Sequence, residues 1–125
     1  MITGVQDVYY NVEDMQRARA FYTEVLGFRL VDSSPHWTSL ELDGLRVGLH
    51  WTEGGPVPRT ARDGHGAHAG ATLTLRSDDV AADRARLEAA GATILGADDA
   101  PWGQMLVFED PEGNVLKLMC PQDIA

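Results

Sequence analysis

The sequence predicts an α+β fold built from two βαβββ modules, and three observations predict it. The chain repeats itself once: the runs Val8 to Leu30 and Leu73 to Leu95 both read as strand, Asp, amphipathic helix, Gly, strand. Asp14 recurs as Asp79 and Gly27 as Gly91, about 65 residues further on. Each copy is then followed by a hairpin signal, Asp43-Gly44 in the first and Asp110-Pro111-Glu112-Gly113 in the second. A repeat of this kind means a paired architecture, and paired modules commonly bind something between them. The expected boundaries are a first module at 1–51, a linker at 52–70 and a second module at 71–125, forming one domain.

The elements follow in order. Val5–Asn11 reads as the first strand. Asp14 can accept the free amides of a first helical turn, so a helix starts after it. Met15, Ala18, Phe21, Tyr22 and Val25 recur at helical spacing and form its buried stripe. Gly27 stands where a helix ends in a left-handed residue. Phe28–Asp32 and Trp37–Leu42 are strands, and Asp43-Gly44 turns the chain into Leu45–Trp51. Thr52 to Gly70 carries two prolines and five glycines, which marks a linker. His65 and His68 lie in it and read as solvated polar residues rather than metal ligands.

In the second copy, Ala71–Arg76 alternates as a strand, and Ser77, Asp78 and Asp79 offer caps. Val80, the stem of Arg84, Leu87 and Ala90 continue a helical stripe. Thr93–Leu95, Met105–Glu109 and Val115–Cys120 complete the strands.

Composition narrows the function. The net charge is −9, with 19 acids against 10 Lys and Arg, so the basic footprint of a nucleic-acid binder is missing. Such acidity reads first as a source of solubility and second as a field that draws cationic ligands. The single cysteine, Cys120, excludes an internal disulfide and reads as a packed small hydrophobe. No run approaches the roughly 20 apolar residues of a membrane span, and no basic start precedes an apolar leader. A cytoplasmic, soluble protein is expected, with no membrane partner. No glycine-rich phosphate loop follows a strand, so no nucleotide cofactor is expected.

The run Asp14-Met15 to Ala20-Phe21-Tyr22, then Val25-Leu26-Gly27-Phe28, resembles the first module of the vicinal oxygen chelate superfamily. This is the family of glyoxalase I, fosfomycin- and bleomycin-resistance proteins and extradiol dioxygenases. Pro101-Trp102-Gly103 and Phe108-Glu109-Asp110-Pro111-Glu112-Gly113-Asn114 resemble its closing segment. The resemblance implies two βαβββ modules whose strands curl into a mixed-sheet cup, often within a homodimer. It also implies that catalytic members hold a divalent metal at four positions, which here are Asp7, Gly48, Thr72 and Lys117. Only Asp7 among them is an ordinary ligand; glycine has no side chain, and an ammonium repels a divalent ion. No bound metal and no cofactor are therefore expected.

Alternation along strands extends the list of cup-facing residues. Asp7 brings Tyr9 and Asn11; Gly48 brings Arg46 and His50; Thr72 brings Thr74 and Arg76; Lys117 brings Val115 and Met119. Neighbouring strands turn Trp37, Ser39, Glu41, Met105, Val107 and Glu109 inward. Trp51 and Trp102, at a strand end and in an entering loop, either pack the sheet edges or stand at the rim, where an indole can stack on a ring or a cation. The candidate ligand-binding set is Asp7, Tyr9, Trp37, Glu41, Arg46, His50, Trp51, Trp102, Met105 and Lys117. The reading that follows is a metal-free, homodimeric small-molecule-binding protein that sequesters a cationic or aromatic compound such as an antibiotic. One alternative is a metal-dependent lyase, isomerase or dioxygenase with an atypical site at Asp7 and His50, and another is a metal-free enzyme with His50 or Tyr9 as acid or base; which residues would be catalytic stays open.

Overall fold

A computed structural model describes residues 1–61 and 67–122 of the chain. His65 lies outside the described residues. Two compact units are present, Met1–Val57 and a second beginning at Pro58.

The first unit runs β1 (Val8–Val12), α1 (Met15–Ala20), a π-helical turn (Phe21–Val25), β2 (Arg29–Ser33), β3 (Trp37–Leu42) and β4 (Leu45–Trp51). Its four strands lie in the order β1-β4-β3-β2, with β1 parallel to β4 and the other pairs antiparallel. The second unit runs β5 (Leu73–Arg76), α2 (Val80–Ala89), β6 (Thr93–Ala100), β7 (Gly103–Glu109) and β8 (Val115–Pro121). Its order is β5-β8-β7-β6, with β5 parallel to β8. The internal repeat is thus a repeat of topology, and the α+β class of two βαβββ modules holds.

Both helices start where the sequence places them, because Asp14 accepts the Arg17 amide at 3.1 Å and Asp79 accepts the Ala82 amide at 3.1 Å. Both leave through a left-handed glycine, Gly27 at φ 84° and Gly91 at φ 89°. Asp43 and Gly44 both take positive φ, the pair of conformations a two-residue hairpin needs.

Besides two-residue shifts at the starts of β5 and β7, three elements differ from the sequence expectation. β1 begins at Val8, not Val5, because its parallel register starts at Val8 opposite Val47; three residues earlier the partner would be the Asp43-Gly44 turn, which has no ladder to offer. β6 continues to Ala100 instead of stopping at Leu95. A register shift between Ile94 and Gly96 lets it stay paired with β7 although Gly, Ala and Asp favour strands little. Helix α1 ends in a wider turn, in which the Leu26 amide reaches the Phe21 carbonyl at 3.1 Å. That turn brings Phe21, Tyr22 and Phe28 together, with ring centroids 5.8 and 5.9 Å apart, while Val25 is only half-buried.

Each helix covers one face of its own sheet. In the first unit Ala18, Phe21, Tyr22, Leu40, Val47 and Leu49 are buried there, and the Thr38 hydroxyl contacts the Met15 sulfur at 3.2 Å. In the second, Leu87 closes over Leu106, Phe108, Leu116 and Leu118. Each such side chain contributes about 1.5–3 kcal/mol of transfer free energy. Val80 joins the second core, but Arg84 does not: its Nε donates to Glu88 at 2.8 Å in solvent. A cation with an acid four residues on has a surface partner within reach.

Candidate functional site

The helix-free face of the first sheet is where alternation brings the polar and aromatic candidates together. Tyr9, Gly48 and Ser39 form one row across β1, β4 and β3, and Asn11, His50 and Trp37 form the next. The rings of Tyr9 and Trp37 lie 5.4 Å apart, those of Tyr9 and His50 6.0 Å, and those of Trp37 and His50 6.3 Å. All three are tilted or edge-on, the arrangement ring quadrupoles favour. The Trp37 indole is held by a hydrogen bond from Nε1 to the Ser39 hydroxyl at 3.0 Å. His50 Nδ1 lies 3.0 Å from the Asn11 side-chain oxygen, which orients the imidazole. Tyr9 is 54% exposed, so the cluster presents aromatic surface to the outside.

Gly48 explains how Trp37 reaches this position. A Cβ built on Gly48 would fall within the indole, against Cζ2 and Cη2. The six-membered ring therefore lies against the backbone of β4, a close approach that only glycine permits. In the sequence Gly48 is only a missing ligand, and nothing along the chain signals that its space is taken by a tryptophan one strand away.

At the other end of this face, Glu41 pairs with Arg29 across β2 and β3, and the Arg29 Nε donates to it at 3.0 Å. The Arg29 hydrogen bonds and positive charge hold the Glu41 carboxyl below its usual 4.5, helped by the Gly44 amide at 3.3 Å and by Arg46, its cross-strand partner. Arg29 was not among the sequence candidates. A basic residue in an edge strand has no partner until the register is known. Asp7 is half-buried just before β1.

Trp51 stands on the other side of this sheet. Its Nε1 donates to the Glu13 carbonyl at 3.0 Å, and its ring packs against His36 at 5.3 Å. There it lines a cavity of about 880 Å³ with Met15, Arg19 and Ser34. The signal was in the alternation: if Gly48 and His50 face one way, Trp51 faces the other.

The second unit has its own helix-free face. Thr74, Lys117 and Val107 form one row, and Arg76, Met119 and Met105 the next. Lys117, Met105 and Met119 are half-buried and Arg76 is exposed. Glu109 and Val115, expected on this face, are buried at 5% and 4%. The Glu109 carboxylate has Arg59 at 3.9 Å. His68 Nε2 and the Thr72 hydroxyl lie 2.7 Å apart, so this loop histidine is engaged locally. Trp102 occupies a two-residue turn between β6 and β7, where Ala100 pairs with Gly103, and is 55% exposed. Its carbonyl accepts the Gln122 amide at 2.9 Å. A Cβ on Gly103 would strike the Cys120 carbonyl and lie 3.0 Å from the Pro121 Cα, so the residue after Trp102 must be glycine.

With this geometry in view, the chain belongs to the Glyoxalase/Bleomycin resistance protein/Dioxygenase superfamily, whose model matches residues 4–118. TnmS3, an antibiotic-binding protein from Streptomyces sp. CB03234, is 31% identical with a TM-score of 0.64, covering 98% of this chain and 100% of that one. FosX, a fosfomycin resistance protein from Listeria monocytogenes, has a TM-score of 0.76 at 14% identity, covering 98% of this chain and 96% of its own. An uncharacterised Bacillus subtilis protein, YetH, is 28% identical over 121 residues, 94% of this chain and 98% of the relative.

The residues at the four positions where the resemblance implies a metal do not suit a divalent ion, taken one by one. Gly48 offers no donor and lies beneath an indole. The Thr72 hydroxyl is engaged with His68, and Lys117 carries a positive charge. Asp7 alone is an ordinary donor, and no group of three or more His, Cys, Asp or Glu able to hold a metal occurs among the described residues. No helix of the described residues is long and apolar enough to cross a membrane.

Proposed function

We propose that this chain is a metal-free, small-molecule-binding protein that sequesters an aromatic compound, an antibiotic among the candidates, as a cytoplasmic homodimer. The observation that carries the reading is the Trp37 indole lying on Gly48 beside Tyr9 and His50. A catalytic metal corner needs a donor where this chain has an aromatic plate, and the plate suits a stacking ligand. The 31% identity to the antibiotic-binding protein TnmS3 supports the same reading. In the second unit, taken by itself, Trp102 is an exposed ring surface on a tight turn. The dimer is supported by β2, a sheet-edge strand whose five residues are all exposed, Leu30 and Val31 among them. Such an edge needs covering, and a twofold interface covers it.

The test is a titration of the purified protein with a panel of planar aromatic compounds, read by tryptophan fluorescence and by thermal shift. Binding to the native state raises the melting temperature. Quenching lost in Trp37→Leu but retained in Trp51→Phe is the expected outcome. A panel that produces neither quenching nor a shift, with turnover appearing only after manganese or zinc is added, would replace this reading with a metal-dependent enzyme.

A further inference from the structure

We infer that the helix-free face of the second sheet binds an aromatic acid, and that Lys117 and Arg76 receive its acidic group. It rests on the aromatic-binding reading above and concerns the second unit taken by itself. The net charge of −9 suggests a cationic ligand. That field, however, is screened over about 8 Å at physiological salt. What a bound ligand meets is the local arrangement.

Lys117 sits between Thr74 and Val107, and Arg76 lies beside Met119 one same-face step further along β5 and β8. The two cations are diagonal neighbours on one face, within reach of a single carboxylate or phenolate. Acids outnumber Lys and Arg in this chain by 19 to 10, yet neither of these two has an acidic partner among the described residues. Glu109, two residues from Val107 on the same face, is buried and has Arg59 at 3.9 Å. Asp98 shares the row of Arg76 but stands beyond Met119 and Met105. The face therefore holds two adjacent positive charges that an anion would neutralise. Lys117 is half-buried, so an ion pair there is screened less than one in open solvent. Val107, Met105 and Met119 surround the pair with apolar, polarisable surface fit for a ring. Positive charge beside an adaptable apolar floor is the chemistry that recognises an aromatic acid.

Three probes of one shape separate the possibilities: 2-naphthoate, neutral 2-naphthamide and 2-naphthylmethylammonium, titrated into the full chain by calorimetry. The carboxylate should bind at least about tenfold more tightly than the amide, as one charge-assisted pair allows. Its affinity should fall with added salt. Lys117→Met should abolish the preference, Arg76→Met should reduce it, and Lys117→Arg should keep it. Equal affinity for carboxylate and amide, or tightest binding of the ammonium, overturns the inference and leaves aromatic binding intact. Binding of none of the three, or of any wider aromatic panel, overturns the aromatic reading itself.

Discussion

Gly48 and Trp37 depend on each other, which makes a mutation at one a probe of the other. Gly48→Ala should displace the indole, break its hydrogen bond to Ser39 and destabilise the protein by about 1–3 kcal/mol. Trp37→Leu in the same chain should recover part of that loss, and chemical denaturation of the four variants of the cycle measures the coupling. Glu41 offers a second test. Its folded-state pKa is depressed by Arg29, so the contribution is present above the unfolded value near 4.5 and is lost as pH falls through the folded value. The pair is exposed, and its effect on stability should be small. A carboxyl-carbon NMR titration should give a Glu41 midpoint below 4.5, rising toward it in Arg29→Gln.

Among the elements, the β6–β7 turn separates a backbone requirement from a side-chain opportunity. Gly103 has φ 145° and no room for a Cβ against the Cys120 carbonyl, which is backbone and cannot swing aside. Gly103→Ala should cost about 2–5 kcal/mol and loosen the pairing of β7 with β8. Trp102, one residue earlier, is 55% exposed. Trp102→Ala should leave the folding free energy within about 0.5 kcal/mol of the parent. It should nonetheless weaken an aromatic ligand by roughly tenfold if the indole stacks on it. Paired melting curves and ligand titrations on the two variants decide this. A destabilised Trp102→Ala that binds normally would make this tryptophan a packing residue.

At the scale of the whole molecule, the proposed absence of a metal predicts that manganese and zinc leave the melting temperature unchanged, since only an ion bound by the native state raises it. A rise of several degrees at micromolar metal would point instead to ligation through Asp7 or His50. The proposed dimer predicts twice the chain mass in light scattering at micromolar protein. Replacing Leu30 with Lys on the exposed β2 edge should shift that mass toward the monomer if this edge is the interface.

Local chemistry alone carried most of the fold. Asp14 and Asp79 start the helices, Gly27 and Gly91 end them, and Asp43-Gly44 turns the hairpin, because each acts within a few residues of itself. Alternation likewise placed Tyr9, Trp37, His50, Met105 and Lys117 on helix-free faces, since a strand's period is set by its own backbone. Tertiary structure decided what lies between strands. The ladder set where β1 starts and how far β6 runs. It laid Trp37 on Gly48, joined Arg29 to Glu41 and buried Glu109 near Arg59. It also left Lys117 and Arg76 diagonal to one another on one face, with no acidic partner among the described residues. Residues eleven or more apart in the chain meet only once register and packing bring them together, and no spacing rule along the chain encodes that.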